Sequence, residues 1–488
     1  MLPYKNLILI NTDTTEPLYR QIAAQLISLI QEGKLLPGTL LPSTRGLAFD
    51  LQLHRKTITA AYDVLVSEDW VDNLPRKGYR VSYDLPRIKP RSYKKNKISA
   101  FAHKGAINFE RLEMILNPVL SVENSRIIID DGLPDISLLP VTTITKQFKK
   151  ALDEITYKAV LRHRISENSN LSIALSTFLK YTRGLDMEIE NIFTTRGAQM
   201  AIYIAASLII KPGDKVIVSD PSYFIANLVF EKLGAELIRV PVDNEGMCTR
   251  SVEEVLQKND IKMIYIIPHH HHPTTVTMSV ERRQHMLKLI KSYDIAVIED
   301  DYDYDFQFKY DPYLPLASGD HNGRVIYIGS LTKVLGTPFR LGYMVATADF
   351  LEAARKLRKL IDIRGDAIIE EAAAGLINNG DLARHIQRSN RLYAQRCDLV
   401  SELISKELTD VVTFTKPTGG MALWLRFNSE FKLSDILKKA HKDGLVVSGT
   451  VYCTGKNALL NACRFGFASL NENQLTEAVE LLKKAAGV

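Results

Sequence analysis

The sequence predicts a chain of two parts: a small, mostly α-helical N-terminal domain that ends in a β-hairpin, and a larger α/β body with a smaller C-terminal subdomain. Three observations support this. The net positive charge is confined to the first fifth of the chain, the same stretch shows helical spacing of apolar residues before a hairpin pattern, and the rest alternates helical segments with short apolar strands. We assign residues 10–82 to the N-terminal domain, 83–125 to a basic linker and 126–488 to the body.

The charge distribution suggests a partner for the N-terminal part. Residues 1–104 hold 16 lysines and arginines against 9 aspartates and glutamates, a net charge of +7, whereas the other 384 residues hold 46 against 47, a net charge of −1. Such asymmetry is typical of a nucleic-acid-binding segment joined to a neutral body, although a basic solvated linker would give the same totals.

The composition is that of a globular protein, with 46% hydrophobic and 24% charged residues among 488. No apolar run approaches the roughly 20 residues that span a bilayer, and the N-terminus shows no signal peptide, so we expect no membrane partner. The four cysteines are too few and too scattered for a disulfide framework or a zinc site, which fits a reducing cytoplasm.

The N-terminal domain begins with two predicted helices. Apolar residues recur at helical spacing in the first, which Gly33 closes: Leu18, Ile22, Leu26, Leu29 and Ile30. After a Pro37-Gly38 turn, Ser43 can cap a second, short helix that runs to about Leu51.

A third helix and a hairpin complete this domain. The stretch "HRKTITAAYDVLVSEDWV" places four apolar residues on one helical face: Ile58, Ala61, Tyr62 and Leu65. The stretch "VDNLPRKGYRVSY" indicates two short strands around a Lys77-Gly78 turn. Helix, helix, turn, helix and hairpin together make a winged helix-turn-helix.

In this fold the N-terminal end of the recognition helix enters the major groove of double-stranded DNA. The third helix starts at His54, and Arg55 could read a guanine edge through two hydrogen bonds. Contacts to phosphate would come from the neighbouring side chains, namely Lys56, Thr57, Arg45 and the wing residue Lys77. A solvated helix start with ordinary surface charges is the alternative.

Three motifs, "LPSTRGLA", "HRKTITAAYDVL" and "RKGYRV", occur in this order with spacings that fit one module. They resemble the GntR-type winged-helix regulators over about residues 10–82, with Tyr79 standing where the wing usually carries a second glycine. The resemblance implies binding to a DNA operator. The polar, basic stretch that follows is a predicted linker that could also touch DNA phosphates.

The body alternates helices with the apolar strands "KVIVSD", "IKMIYIIP", "IAVIEDD" and "RVIYIGS". This pattern predicts an α/β domain with a mostly parallel sheet, in which ligands bind at the carboxyl ends of the strands. We expect a large subdomain at about 150–365 and a small C-terminal subdomain at about 366–488.

Polar residues follow several of these strands. Gly197, Ala198 and Gln199 start a helix, where backbone N–H groups and the helix dipole favour an anion. Tyr223 comes just past a strand, where its ring could stack on a planar ligand or pack in the core. Asp300 ends another strand, and a buried carboxylate needs a cationic partner.

Lys333 follows the last of these strands, among small and apolar neighbours in "GSLTKVLGTPFRLG". A desolvated lysine has a lowered pKa and reacts with an aldehyde to form a Schiff base. Together these residues are the parts of a pyridoxal 5′-phosphate site, in which Asp300 pairs with the pyridine nitrogen and Tyr302 bonds the ring oxygen. Ser330 and Arg340 would join the helix start in holding the phosphate.

The body resembles the fold type I pyridoxal-phosphate enzymes, the aspartate aminotransferase family, over roughly residues 126–488. The motifs are "GSLTKVLGTPFRLGY", "EDDYDYDF", "TRGAQMAI" and "ACRFGFA". The last contains Arg464, at the position where that family keeps the arginine for a substrate carboxylate. A winged helix followed by such a body resembles the MocR subfamily of GntR regulators, as do "GLPDISLLP" and "RHIQRSNRLYAQR". The resemblance also implies a homodimer.

Two departures from the family pattern bear on the site. Aminotransferases carry N-P-x-G, and here His272 replaces the asparagine and Thr275 the glycine, so we expect His272 to contact the cofactor. If the histidine run 269–272 were extended, at most two of its rings could share an ion, and we predict no metal site. Glu167 and "LS" at 171–172 replace a glycine and L-R, which argues against full transaminase activity.

Two functions fit these residues. One is a transcriptional regulator whose body senses a small effector, pyridoxal phosphate itself or an amino acid, with at most a residual transaminase half-reaction, in a bacterial cytoplasm. The other is a working aminotransferase whose basic domain is incidental or autoregulatory. We favour the regulator, because a complete winged helix would be superfluous in a metabolic enzyme. A cofactor-free scaffold conflicts with Lys333, Asp300 and Arg340 all being present.

Overall fold

The computed structural model describes residues 4–11, 14–86, 125–159, 170–308, 313–363, 365–447, 452 and 459–488. The chain divides into two compact units, residues 1–113 and 114–488, each with its own hydrophobic core. The predicted linker lies mostly outside the described residues, since 87–124 are not among them.

The first unit is a winged helix-turn-helix, as predicted. Its described elements are α1 (Tyr4–Leu7), α2 (Leu18–Gln31), α3 (Thr44–Asp50), α4 (Arg55–Ser67), β1 (Val71–Leu74) and β2 (Gly78–Val81). The two strands pair antiparallel, with Leu74 opposite Gly78. Gly78 has φ +99°, a conformation that glycine adopts without steric cost, and this lets the wing turn tightly.

The apolar faces of these helices make the core of the unit. Ile22 and Leu26 of α2 and Tyr62 and Leu65 of α4 are fully buried. Ser43 caps α3, its hydroxyl accepting a hydrogen bond from the backbone N–H of Gly46 at 3.0 Å. The helical spacing in the sequence therefore identified both the elements and their buried sides.

The second unit is an α/β body. Its described helices are α5 (Val141–Ala159), α6 (Asn170–Arg183), α7 (Ala198–Ile209), α8 (Phe224–Lys232), α9 (Thr249–Lys258), α10 (Val280–Ser292), α11 (Thr332–Leu335), α12 (Ala348–Lys359), α13 (Ala367–Asn378), α14 (Asp381–Glu407), α15 (Leu433–Lys442) and α16 (Glu472–Ala486). Its described strands are β3 (Ile127–Ile129), β4 (Ile192–Thr195), β5 (Lys215–Asp220), β6 (Glu236–Asp243), β7 (Gly246–Met247), β8 (Met263–Ile266), β9 (Ala296–Asp301), β10 (Val325–Ser330), β11 (Gly342–Val345), β12 (Val412–Thr413), β13 (Ala422–Phe427), β14 (Leu445–Val447) and β15 (Ala462–Gly466).

The main sheet has eight strands in the order β4-β11-β10-β9-β8-β5-β6-β7. The strands from β10 to β6 run parallel, while β11 and β7 are antiparallel to their neighbours. Alternate residues face opposite layers. Val216 and Val218 share a core with α7, α8 and α12, whereas Ile217 shares one with α9 and α10. Helices therefore cover both faces, as expected for a sheet that is largely parallel.

A smaller C-terminal part contains two further sheets. Strands β12, β13 and β15 form an antiparallel sheet, and β14 pairs in parallel with β3. Strand β3 is the first described strand of the body, yet its partner lies more than 300 residues later in the chain. The sequence analysis did not anticipate this pairing.

None of the helices in the described residues has both the length and the apolarity that crossing a bilayer requires.

A buried ion pair joins α6 to the turn after β9. Arg183 and Asp305 approach within 2.8 Å, and their side chains are 2% and 7% exposed. The guanidinium also stacks over the ring of Tyr304 at 4.4 Å from the ring centre. Removing one partner of such a pair leaves a buried charge without compensation.

We expect Arg183→Met to lower the free energy of unfolding by about 3–5 kcal/mol, because Asp305 loses its cation in a desolvated place. Lys356→Met is the matched control, since Lys356 forms an exposed ion pair with Glu352, and it should change stability very little. Urea denaturation measures both. Equal effects of the two substitutions would contradict the assignment, and Arg183→Met/Asp305→Asn should recover most of the loss.

Candidate functional site

The basic end of α4 is exposed in the first unit. Arg55 and Lys56 are exposed and Thr57 is half-buried. His54 caps the helix, its Nδ1 accepting from the backbone N–H of Lys56 at 3.2 Å. Arg55 Nε donates to the hydroxyl of Thr44 at 3.2 Å, a contact that orients the side chain and that the sequence did not predict.

The other two predicted DNA contacts are also exposed. Arg45 lies in the first turn of α3, and Lys77 lies in the turn of the hairpin. These positions are compatible with the predicted roles, which stay predictions.

A cavity of about 200 Å³ lies at the carboxyl ends of the central strands of the body. Its lining contains every predicted cofactor residue except Gly197, which directly precedes α7. The lining residues are Asp131, Ala198, Gln199, Ile202, Tyr223, Ile267, His272, Asp300, Tyr302, Ser330, Thr332, Lys333 and Arg340. The topology brings them together, because the parallel strands β8, β9 and β10 all end here.

Lys333 lies in the short helix α11, directly after β10. Its Nζ donates to the backbone carbonyl of Gly132 at 2.8 Å, and the ring centre of Tyr302 is 6.0 Å away. Burial lowers the pKa of Lys333, with a further reduction from the charge of Arg464 that nearby carboxylates offset in part. A lysine in this setting has a larger fraction of the nucleophilic, neutral amine than a solvated one.

Two adjacent carboxylates at the end of β9 have different surroundings. Asp300 lines the cavity, accepts from the hydroxyl of Tyr265 at 2.7 Å, and keeps its other oxygen, Oδ1, buried without a partner among the described residues. Burial raises the pKa of Asp300 to about 7. Asp301 accepts from Tyr327 at 2.8 Å and lies 3.5 Å from His269. Burial would raise the pKa of Asp301, but His269, Arg183 and Tyr327 together outweigh it and the net direction is downward.

The start of α7 is closely fitted to Arg340. Gly197 has φ +80°, and a Cβ atom there would lie 3.0 Å from a guanidinium nitrogen of Arg340. Arg340 itself adopts a left-handed conformation at φ +40°. Ser330 accepts from the backbone N–H of Thr332 at 3.1 Å. Backbone N–H groups, a hydroxyl and a guanidinium therefore converge at one end of the cavity, an arrangement that suits a phosphate.

The histidine run differs from the extended segment considered above. His270 and Thr275 both have positive φ, so the chain turns here and all four rings are buried in separate environments. The nearest polar partners are Asp301 for His269, Asp303 for His270, Ser219 and Thr274 for His271, and Asp131 for His272. Within the described residues there is no group of three or more side chains able to hold a metal ion.

His272 lines the cavity with one free nitrogen. Its Nε2 lies 2.8 Å from Oδ2 of Asp131, and because a carboxylate only accepts, Nε2 carries the hydrogen. Its Nδ1 is buried and has no partner among the described residues. Tyr302, predicted to bond a ring oxygen, donates instead to the backbone carbonyl of His270 at 3.0 Å. The His272 nitrogen is therefore the freer of the two groups.

Arg464 was predicted to bind the carboxylate of an effector, but the chain itself supplies a carboxylate. Its Nε lies 3.0 Å from Oδ1 of Asp131, and a second guanidinium nitrogen donates to the carbonyl of Pro273 at 3.0 Å. The side chain is 2% exposed and is not part of the cavity lining.

The sequence analysis missed Asp131, Tyr265 and Tyr452. Tyr265 lies inside the apolar strand β8, where its spacing marks it only as a core residue. Asp131 directly precedes the stretch "GLPDISLLP", which was noted for its resemblance, and no local pattern indicates that its partners are Arg464, His272 and Tyr452. Glu167, one of the departures from the family pattern, lies outside the described residues.

Comparisons with known families match both parts of the chain. Residues 135–482 match the family described as aminotransferase class I and II, and residues 18–81 match the gntR family of bacterial regulatory proteins.

Comparisons with single proteins agree. The chain is 28% identical over 368 residues to aromatic-amino-acid aminotransferase 1 of Thermococcus litoralis, covering 74% of this chain and 88% of that one. It is 24% identical to the probable rhizopine catabolism regulatory protein MocR of Rhizobium meliloti, and the match covers 98% of this chain and 96% of that one. The solved structure of kynurenine aminotransferase of Pyrococcus horikoshii in complex with PMP superposes on this chain with a TM-score of 0.68 at 26% identity. The match covers 77% of this chain and 95% of that one.

The contrast between Asp300 and Asp301 predicts opposite pH dependences of stability. The pKa of Asp300 is raised to about 7, so the folded cofactor-free chain holds a proton that the unfolded chain releases near pH 4. Stability relative to Asp300→Asn should therefore fall as the pH rises from about 4 to about 7. The pKa of Asp301 is lowered, so stability relative to Asp301→Asn should be present above its unfolded pKa and lost as the pH falls.

Denaturant unfolding of the cofactor-free wild type, Asp300→Asn and Asp301→Asn, measured as a function of pH, reports both effects. The same sign of pH dependence for the two variants would show that the two carboxylates have equivalent environments.

Proposed function

The chain belongs to the aminotransferase class I and II family and carries a gntR-type domain at its N-terminus, and we propose that it is a transcriptional regulator that binds DNA and pyridoxal 5′-phosphate and responds to a small amine. The observation that carries the proposal is the order of the two domains in one chain, which a relative named as a regulatory protein shares over 98% of this chain. The exposed basic start of α4 and the cavity beside Lys333 supply one site for each ligand.

The residues of the cavity fit pyridoxal phosphate. The buried Oδ1 of Asp300 has no partner among the described residues and can accept from a protonated pyridine nitrogen. The convergence of Ser330, Arg340 and the start of α7 suits the phosphate. Neutral His272 offers Nδ1 as an acceptor for a ring hydroxyl. Burial lowers the pKa of His272, and Asp131 offsets only part of that effect.

When bound, pyridoxal phosphate supplies an aldehyde that reacts reversibly with primary amines and a ring that withdraws electrons. The chain's own residues prepare that chemistry. Lys333 brings a partly desolvated amine, which favours its neutral form. Asp300 would keep a proton on the ring nitrogen, and Tyr223 would pack against the ring at the edge of the cavity.

An active aminotransferase is the second candidate. Lys333, Asp300 and Arg340 all line one cavity, and a relative named as an aminotransferase is 28% identical over 74% of this chain. That relative does not account for the N-terminal domain, whereas the regulatory relative extends over both parts. We therefore favour regulation, with any turnover of an amino donor as a minor activity.

We further propose a homodimer that acts in the bacterial cytoplasm. A single winged helix contacts little DNA, and a dimer would read two half-sites at a fixed spacing. Sedimentation of the full chain measures the mass of the assembly directly.

We expect Lys333→Ala to abolish covalent retention of the cofactor. Borohydride treatment of the wild-type protein should fix the cofactor to the peptide that contains Lys333, whereas the variant should remain colourless or release the cofactor on dialysis. The variant should also lose the effect of added amines on DNA affinity, which we expect to be about 5- to 150-fold in the wild type.

Lys356→Ala serves as the surface control and should behave as the wild type in each assay, because Lys356 lies on the exposed face of α12. An unchanged amine response in Lys333→Ala would remove this lysine from the sensing step.

We expect Arg55→Ala to weaken binding to an operator, selected from random duplexes, by about 1–3 kcal/mol and to relax specificity at one base pair. Arg55→Lys keeps the charge but loses the two-pronged contact, so it should relax specificity with a smaller loss of affinity. Lys77→Ala should weaken operator and random DNA alike and flatten the salt dependence. Equal losses on operator and random DNA for Arg55→Ala would reduce Arg55 to a phosphate contact.

A further inference from the structure

Asp131 lies between the cavity and the most deeply buried arginine of the small C-terminal part. It follows β3, lines the cavity, and its side chain is 36% exposed, whereas Arg464 is 2% exposed. The carboxylate of Asp131 is therefore the group that a ligand meets first, and the guanidinium lies behind it.

Three donors converge on this one carboxylate. Arg464 Nε lies 3.0 Å from Oδ1, the hydroxyl of Tyr452 donates to the same oxygen, and His272 Nε2 lies 2.8 Å from Oδ2. A ligand carboxylate in this place would find the same set of partners, so Asp131 satisfies the arginine as a bound acid would.

The backbone supports the arrangement. Gly132 has φ +90°, and a Cβ atom on it would lie 3.1 Å from a guanidinium nitrogen of Arg464. The carbonyl of the same glycine accepts from Lys333 Nζ at 2.8 Å. One residue therefore connects the reactive amine to the carboxylate, which places a ligand attached beside Lys333 next to a negative charge.

The ion pair between Asp131 and Arg464 also resists separation. Burial would raise the pKa of Asp131, but His272 and Arg464 outweigh it and hold that pKa well below its usual range, so protonation does not release the arginine at ordinary pH. A ligand carboxylate would have to displace a bonded one and would be repelled by it, because two carboxylates cannot share one site without a proton between them.

We propose that Asp131 occupies Arg464 in place of a ligand carboxylate, so that the cavity selects primary amines that carry no carboxylate over amino acids. This inference rests on the proposed function, in which ligands react beside Lys333.

The test uses pairs of compounds that differ only in the carboxylate: phenethylamine and phenylalanine, isoamylamine and leucine, cadaverine and lysine. The full chain loaded with pyridoxal phosphate is titrated with each, and the visible absorption of the cofactor is followed. We expect the wild type to respond to at least one amine at a concentration at least about tenfold below that of its amino acid. Asp131→Asn, which leaves the charge of Arg464 free, should shift that ratio at least about tenfold towards the amino acid.

A second measurement covers the case in which Asp131→Asn folds poorly. Acetate should raise the melting temperature of Asp131→Asn by replacing the missing carboxylate. It should have no such effect on the wild type or on Asp131→Asn/Arg464→Gln, in which the charge of the arginine is also removed.

Three results would overturn the inference: a wild type that prefers the amino acids, a wild type that responds to none of the amines, or an Asp131→Asn ratio within about threefold of the wild-type ratio with no stabilisation by acetate. Borohydride fixation of the cofactor at Lys333 and operator binding are measured first on the same samples. A failure there counts against the proposed function, whereas success there with an unchanged ligand preference counts against the role of Asp131 alone.

Discussion

The arrangement of the body depends on how it neutralises the carboxylates buried at the end of β9. A carboxylate removed from water is strongly destabilising unless donors surround it. The stretch 299–305 contains five of them, and their donors come from distant parts of the chain. These donors are the backbone of Leu316 and Ala317 for Glu299, Tyr265 for Asp300, Tyr327 for Asp301, His270 for Asp303 and Arg183 for Asp305, and the ring of His269 lies 3.5 Å from Asp301. This requirement connects α6, the turn after β8 and strand β10 to one point. Asp300 differs from the other four because it lines the cavity, where its unpartnered Oδ1 can meet a positive charge that a ligand supplies.

The same requirement accounts for the run of four histidines at 269–272. In an extended chain alternate rings would share a face, but positive φ at His270 turns the segment and each ring has a different neighbour. Two of those neighbours, Asp301 and Asp303, belong to the group of carboxylates beside β9. Two rings of the run therefore lie against the carboxylates beside β9, and its last member, His272, bonds Asp131 at the cavity.

Local patterns in the sequence were enough to predict the fold class and most of the cavity. The spacing of apolar residues identified α4, and the polar residues after apolar strands identified Lys333 and Asp300, because strand ends in a parallel sheet meet in space. Long-range partners left no such pattern. The three residues of β3 carry no signal for a strand some 300 residues away, and nothing near Arg464 shows that Asp131 will neutralise it. The prediction that Arg464 binds a ligand carboxylate rests on its motif, which carries no information about the neighbours that the folded chain supplies.

The pairing of β3 with β14 places the first described strand of the body beside one of the last. The first described strand after residues 87–124 is held in the small C-terminal part, not in the eight-stranded sheet that forms the floor of the cavity. Asp131, which bonds Arg464, follows that strand by two residues. The carboxylate that bonds Arg464 and the strand that pairs with β14 therefore both come from the first few described residues of the body, so the small C-terminal part is assembled from both ends of the body's sequence.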